Sequence, residues 1–113
     1  MSTLHILRLR YRGAEEEAAP HVPAHAAYLD RHHRAGTFLA SGQTVPSEQG
    51  GAIIARGTDR AEIEKIAEND PFVCAGVAEY DIITVDVGRI HPALAGLVGV
   101  GPSRVRAPGE PPG

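Results

Sequence analysis

The first apolar stretch of the chain has the alternating pattern of a β-strand. It extends from Leu4 to Tyr11, with Leu4 and Ile6 on one face and the later apolar residues shifted toward the other. This pattern predicts a strand that is partly buried on both faces. Gly13 ends the strand, and the acidic run at residues 15–17 that follows is typical of a solvated face or a loop.

Helical and extended patterns alternate in the next part of the chain. Residues 23–35 are rich in alanine, begin with Pro23 and are followed by Gly36, which is the usual proline start and glycine stop of a helix. Two short apolar runs, at residues 38–44 and 52–56, are joined by a polar loop that contains glycine. These two runs predict an antiparallel hairpin.

Two helix-start signals follow the hairpin. The sequence Asp59-Arg60-Ala61-Glu62 matches a capping box and begins a second helix that we expect to end near Asn69. Asp70-Pro71-Phe72 is a further start signal, and it leads into a last strand over residues 77–87. The order β-α-β-β-α-β predicts an α+β, ferredoxin-like subunit in which two helices cover one face of a four-stranded antiparallel sheet.

This architecture leaves the second face of the sheet without helices. The first and last strands nevertheless carry apolar residues on both faces. Large exposed apolar patches are uncommon on monomers, so another surface is expected to cover this face. We therefore predict a homodimer in which the two sheets face each other.

The composition changes near residue 88. Five of the nine prolines and six of the thirteen glycines fall in the final 26 residues. We therefore predict a ferredoxin-like domain over residues 1–88 and a Pro/Gly-rich C-terminal extension over residues 89–113. Within the extension, residues 91–98 favour a short helix and residues 99–113 an extended or mobile tail.

Composition and charge exclude several classes of partner. A chain of 113 residues has the length of one domain, and its net charge of −3 and lack of tryptophan argue against nucleic-acid binding. The single cysteine, Cys74, cannot form an intramolecular disulfide, and the first residues do not resemble a signal peptide. No apolar run approaches the roughly 18 residues of a membrane helix. We expect a cytoplasmic protein that binds neither nucleic acid nor membranes.

Histidine is the most unusual feature of the composition, because four of the six histidines lie in or beside the first predicted helix. Helical spacing places His25, Leu29 and His32 on one face, and Leu29 is expected to point at the sheet. His25 therefore leans toward the interior. From spacing alone it is either a satisfied core residue or a functional one.

Metal binding and thiol chemistry receive less support. His21 and His25 have the i, i+4 spacing of a zinc site, but Pro23 lies between them and no third ligand is indicated, so no metal site is predicted. Cys74 has no adjacent base, and its neighbours Val73 and Ala75 indicate a small buried residue.

Asp70 has two interpretations. An aspartate before a proline is a good helix cap, because its carboxylate accepts backbone N–H bonds. A carboxylate that holds an imidazole would instead fix the tautomer of that imidazole and raise its basicity, as in a base for proton abstraction. Sequence spacing does not tell whether Asp70 meets His25.

Three segments carry a resemblance to a known family. Residues 22–29 (VPAHAAYL), 36–42 (GTFLASG) and 70–77 (DPFVCAGV) resemble the YCII-related (YciI-like) family in their order and content. The similarity extends over about residues 4–90. The resemblance implies a dimeric α+β barrel with a pocket between sheet and helix, and it implies that His25 and Asp70 are the catalytic pair.

The resemblance also suggests which residues bind substrate. Ser41 and Gly42 come where the second strand would reach the mouth of the pocket, and Phe72 belongs to the Asp-Pro-Phe element. Tyr28, one turn after His25, either donates a phenolic proton or packs against the flank of the helix.

One position departs from the family pattern. Members often carry an arginine three residues before the histidine, where this chain has Val22. Arg8 or Arg10 on the first strand is the alternative source of positive charge at the pocket.

These observations favour an enzyme that needs no cofactor and acts on a small molecule. The His25–Asp70 pair would transfer a proton next to a carbonyl or enol, giving a lyase, isomerase or cyclase activity. The alternative is a dimer that binds a small molecule without turnover.

Overall fold

The computed structural model describes residues 3–97. The main elements follow in the predicted order: β1 (Thr3–Tyr11), α1 (Val22–Arg34), β2 (Phe38–Gln43), β3 (Gly51–Arg56), α2 (Arg60–Glu68), α3 (Pro71–Cys74) and β4 (Ala78–Asp86). The strands form one sheet in the order β2-β3-β1-β4, and every neighbouring pair is antiparallel. The predicted α+β, ferredoxin-like arrangement is confirmed.

The core lies between the sheet and the helices. On β1 and β3, every second side chain points toward the helices and is buried, as in Leu7, Leu9 and Ile53. The helices and β2 bury their own apolar residues against this surface, namely Tyr28, Phe38, Ile63 and Ala67. The main apolar core therefore lies between the sheet and the helices.

The local signals for the helix ends are also confirmed. Pro23 lies in the first turn of α1, and Gly36, with a φ of 82°, follows its end. The carboxylate of Asp59 accepts a hydrogen bond of 2.8 Å from the backbone N–H of Glu62 at the start of α2. In the same way, the Asp70 carboxylate caps α3.

The acidic run at residues 15–17, predicted as a solvated face or a loop, is the first turn of a 3-10 helix, Glu15–His21. Glu16 and Glu17 are exposed on this turn. Ala18 holds this helix against the sheet, because it is buried in a second apolar cluster with Leu9, Phe72 and Ala78.

The C-terminal segment is less helical than predicted. Instead of a helix over residues 91–98, a single 3-10 turn covers Pro92–Leu94, and residue 98 lies outside the described residues. The following residue, Ala95, is buried against Leu4, Leu39 and Ile90. The proposed tail at residues 99–113 also lies outside the described residues.

The side of the sheet opposite the helices, which we call the open face, is divided into two halves. One half is apolar, and Ile54 and Ile83 on it are 41% and 58% exposed. The other half carries Arg10, whose guanidinium contacts Asp81 at 2.8 Å and Glu79 at 3.3 Å. Within residues 3–97, no helix is both long enough and apolar enough to cross a membrane.

Gly50 provides a test of the close packing between the β2–β3 connection and β1. Its φ is 112°, and a Cβ atom at this position would lie 1.9 Å from the carbonyl oxygen of Leu9. We expect Gly50→Ala to lower the free energy of unfolding by about 3 kcal/mol or more, because the backbone is strained and has to move. Urea denaturation followed by circular dichroism measures this change.

The matched control is Gly42→Ala on the neighbouring strand. A Cβ atom at Gly42 meets no other atom within 4 Å, and the change is expected to stay within about 1 kcal/mol. Equal stabilities of the two variants would contradict the close approach at Gly50.

Candidate active site

His25 and Asp70 meet, although they are far apart in the sequence. The Nδ1 atom of His25 lies 2.8 Å from Oδ1 of Asp70. The Asp70 side chain is fully buried, whereas the His25 side chain is 15% exposed. The same Oδ1 atom accepts a hydrogen bond of 2.9 Å from the backbone N–H of Phe72. Asp70 is therefore both the cap of α3 and the partner of His25.

A third donor, Tyr80, completes the surroundings of Asp70. The hydroxyl of Tyr80 donates a hydrogen bond of 2.5 Å to Oδ2 of Asp70. Burial raises the pKa of Tyr80, and the charge of Asp70 and this hydrogen bond raise it further. The phenol therefore stays a donor.

These contacts determine the chemistry available at His25. An ionised carboxylate only accepts hydrogen bonds, so beside ionised Asp70 the proton of the neutral imidazole is on Nδ1. The Nε2 atom then keeps its lone pair. The ring itself is stacked on Phe72, with ring centres 4.0 Å apart and an angle of 9° between the planes. These contacts thus fix both the tautomer and the orientation of the His25 ring.

His25 lines a cavity of about 220 Å³ between α1 and the sheet. Ser41, Gly42 and Phe72, three of the substrate-binding residues expected from the sequence, also line it. Much of the rest of the wall is apolar, and it includes Leu9, Val22, Leu29 and Ile53. Tyr80 and Tyr11 contribute to the wall as well.

The structure does not bring Tyr28 to this cavity. Its side chain is buried in the core, and its hydroxyl donates a hydrogen bond of 2.7 Å to the carbonyl oxygen of Ile66 in α2. Burial raises the pKa of Tyr28, and the charge of Asp70 adds to this effect. Tyr28 is thus a packing residue, which is one of the two roles that the sequence left open for it.

Arg8 and Arg10 do not supply the positive charge that we considered for the pocket. They alternate along β1 with the buried residues Leu7 and Leu9, so they belong to the open face on the other side of the sheet. Val22, at the position where family members often have arginine, lines the cavity. Among the described residues that line this cavity, none is Asp, Glu, Lys or Arg.

Cys74 also differs from its expectation. It is exposed, because it ends the short helix α3 on its solvent side, and its Sγ atom lies 3.4 Å from the carbonyl oxygen of Glu68. Within residues 3–97, no group of three or more His, Cys, Asp or Glu side chains is arranged to hold a metal ion.

Other histidines have structural contacts. His5 is buried, with Nε2 at 2.6 Å from the carbonyl oxygen of Thr58 and Nδ1 at 3.0 Å from the hydroxyl of Thr84. His32 packs on Phe38, and burial, with the charge of Arg31, lowers its pKa.

Tyr80 belongs to this site and was not among the residues predicted for it. Its register opposite Leu9 turns its side chain toward the helices and brings its hydroxyl to Asp70. The periodicity of β4 could have indicated a tyrosine facing the helices, but not the carboxylate it meets.

Removing the Tyr80 hydroxyl tests the importance of the third donor. We expect Tyr80→Phe to lower the free energy of unfolding by about 1.5–3 kcal/mol, because Oδ2 of a buried carboxylate loses its partner. Tyr11→Phe is the matched control, since the Tyr11 hydroxyl forms no hydrogen bond among the described residues and lines the same cavity. Chemical denaturation of both variants measures the difference, and equal losses would contradict the role of Tyr80.

Comparison with known proteins agrees with this fold. The model of the YCII-related domain family matches residues 4–86. No curated protein matches the chain. A similar solved structure is 5-chloro-2-hydroxyhydroquinone dehydrochlorinase from Burkholderia phenoliruptrix AC1100, in complex with 2,5-dihydroxybenzoquinone.

The two structures share the fold at low sequence identity. They are 22% identical, with a TM-score of 0.59, and the match covers 75% of this chain and 92% of the dehydrochlorinase. The family model spans most of the chain and includes both members of the His25–Asp70 pair. The chain therefore belongs to the YCII-related domain family, as its three sequence segments indicated.

Proposed function

We propose that the protein is a cofactor-independent enzyme that removes a proton from a small oxygenated ring compound. His25 is the base, and Asp70 orients it. The observation that carries this proposal is the 2.8 Å contact between a fully buried carboxylate and a histidine that lines a cavity. Perturbed or paired titratable groups in a cavity are typical of active sites.

The reaction begins with transfer of a proton to Nε2 of His25. The proton comes from a carbon next to a carbonyl group, which a hydroxylated ring offers in its keto form, and the electron pair left behind forms a new carbon–carbon double bond. If the adjacent carbon carries a leaving group, that group departs with its electron pair and the reaction is an elimination. If the proton returns at another carbon, the reaction is an isomerisation. Asp70 stabilises the imidazolium formed in either case.

The cavity supports a ring-sized, uncharged substrate. A cavity of about 150 Å³ is known to accept benzene, and this one has a volume of about 220 Å³. Its lining residues include no fixed charge, so a carboxylate or phosphate on the substrate would lose solvation without gaining a counter-charge. Phe72 and Leu29 offer apolar contact to a ring, and Ser41 or backbone N–H groups would stabilise an enolate oxygen.

The similar solved structure supports the reaction class. Its name describes a dehydrochlorinase that acts on a hydroxylated ring, and its complex contains 2,5-dihydroxybenzoquinone. Loss of HCl from such a ring is an elimination that begins with proton removal. We propose the same class of chemistry for this chain, a lyase-type elimination on an oxygenated ring.

Replacement of His25 is the direct test. We expect His25→Ala to lower the rate of chloride release from 5-chloro-2-hydroxyhydroquinone by about 10²–10⁴-fold, because the general base is lost. His21→Ala, at the N-terminal end of α1 and outside the cavity lining, is the control and is expected to keep the wild-type rate. Retention of the rate in His25→Ala would contradict the assignment.

A thermal-shift screen of phenols, quinones and lactones accompanies the rate measurement. A compound that binds the folded protein raises its melting temperature, and we expect the shift to be lost in His25→Ala. The Cys74→Ser background prevents addition of quinones to the exposed thiol. A shift that depends on His25, without turnover of any compound in the screen, would favour the alternative of a non-catalytic binding dimer.

We also propose that the functional unit is a homodimer formed through the open face. Ile54 and Ile83 are exposed on its apolar half, and an apolar sheet surface of this kind is normally covered. The C-terminal segment covers Leu4 and Leu39 at one end of that half. A second sheet would cover the remainder.

Light scattering tests the dimer. The wild-type protein is expected to have twice the chain mass of 11.9 kDa, and Ile83→Glu is expected to shift it to the monomer, because the interface would bury an unpaired charge. Val45→Glu makes the same kind of change at a valine that is 97% exposed in the loop after β2, and it should leave the dimer intact. A monomeric wild-type protein would contradict the proposal.

A further inference from the structure

A second hydrogen-bonded pair is formed at the cavity by His33 and Ser41. The Nε2 atom of His33 lies 2.8 Å from Oγ of Ser41. Ser41 lines the cavity, and His33 belongs to the last turn of α1. This pair shares no hydrogen bond with Asp70 or His25 among the described residues. The proton chemistry proposed above does not use His33.

Ser41 faces the cavity because of an irregularity in β2. The pairing of β2 with β3 shifts by one residue between Phe38 and Ala40. Regular alternation from Phe38, whose side chain is in the core, would turn Ser41 to the open face. The shift instead places Ser41 opposite Ile53, another core residue, and so on the helix side of the sheet. A bulge that directs one side chain in this way is a frequent feature next to active sites.

His33 is held in place from two directions. Its carbonyl oxygen accepts a hydrogen bond of 3.0 Å from the backbone N–H of Gly36 at the end of α1. Its ring packs edge-on against Phe38, with centres 6.0 Å apart and planes at 81°. The imidazole therefore restrains the Ser41 hydroxyl on a strand that is otherwise exposed at this point.

The pair leaves one hydrogen bond of Ser41 free for a ligand in either tautomer. When Nε2 accepts the Ser41 proton, the lone pairs of Oγ remain and accept from a ligand hydroxyl. When Nε2 carries a proton and donates it to Oγ, the Ser41 proton remains and is donated to a ligand carbonyl. A hydroxyl oxygen and a carbonyl oxygen are the two forms that an oxygen takes on hydroquinone and quinone rings.

We infer that His33 is a positioning residue, which directs the Ser41 hydroxyl at a second ring oxygen of the substrate. The first oxygen or the carbon beside it lies at His25. The site therefore selects rings with two oxygen substituents over rings with one. This inference rests on the proposed function and deepens it, because it names what distinguishes a good substrate from a poor one.

Binding of simple rings tests the inference without any turnover. Dissociation constants are measured by NMR titration, without oxygen and in the Cys74→Ser background, for phenol and for the three dihydroxybenzenes. We expect at least one dihydroxybenzene to bind about 3- to 10-fold more tightly than phenol, the range of one neutral hydrogen bond. Ser41→Ala and His33→Leu are each expected to reduce this ratio to about one, and the double variant is expected to reduce it no further.

A conservative variant of His33 and two variants outside the cavity distinguish positioning of Ser41 by His33 from a general disturbance of the fold. His33→Gln can still reach Ser41 through its amide and is expected to retain the preference. Ser47→Ala and His91→Leu make the same chemical changes outside the cavity lining and are expected to leave it unchanged. A preference that survives in His33→Leu, or that is lost in His33→Gln and His33→Leu alike, overturns the positioning role.

His25→Ala distinguishes failure of this inference from failure of the proposed function. The proposed function requires that His25→Ala weakens binding of phenol. Phenol binding that depends on His25, together with a ratio that does not depend on Ser41, overturns only the inference. Binding of no ring, or binding that does not depend on His25, overturns the proposed function and the inference together.

Discussion

The rest of the site depends on the hydrogen bonds that surround the carboxylate of Asp70. This carboxylate is fully buried, and a buried charge is costly unless donors surround it. Here the donors come from three elements: the backbone N–H of Phe72 in α3, the imidazole of His25 in α1 and the phenol of Tyr80 in β4. One side chain therefore joins two helices to an edge strand, and it orients the histidine through the same atoms.

This arrangement divides the cavity into two sides with different constraints. On the side of α1 and α3, His25 is stacked on Phe72 and bonded to Asp70, so its position is set by contacts that also hold the fold together. On the side of β2, Ser41 and Gly42 are exposed residues of an edge strand. Under the proposed function, the first side would carry the proton transfer, and the second side would contact the part of the ligand that is remote from His25.

Much of the fold was predictable from local patterns. Alternation gave the strands, and the caps at Asp59 and Asp70 gave the helix starts, because both signals act within a few residues. The meeting of His25 with Asp70 came from the family resemblance, since it joins residues 45 positions apart. The contact of Tyr80 with Asp70 depends on the register between β4 and β1, and the direction of the Ser41 side chain depends on the bulge in β2. Local patterns encode neither the partner of Tyr80 nor the bulge. The prediction that Cys74 is buried was wrong, because apolar neighbours in the sequence do not indicate which side of a short helix faces solvent.

The bulge in β2 has a consequence for how such a protein can diversify. Because the bulge lies on an edge strand, the pairing of β2 can change while the central strands keep their register. Deletion of one residue on the loop side of Ser41, with loss of the bulge, would pair Ala40 with Ile53 and turn Ala40 toward the cavity in place of Ser41. Under the proposed function, ligand preference would then change in one evolutionary step that leaves His25 and Asp70 in place.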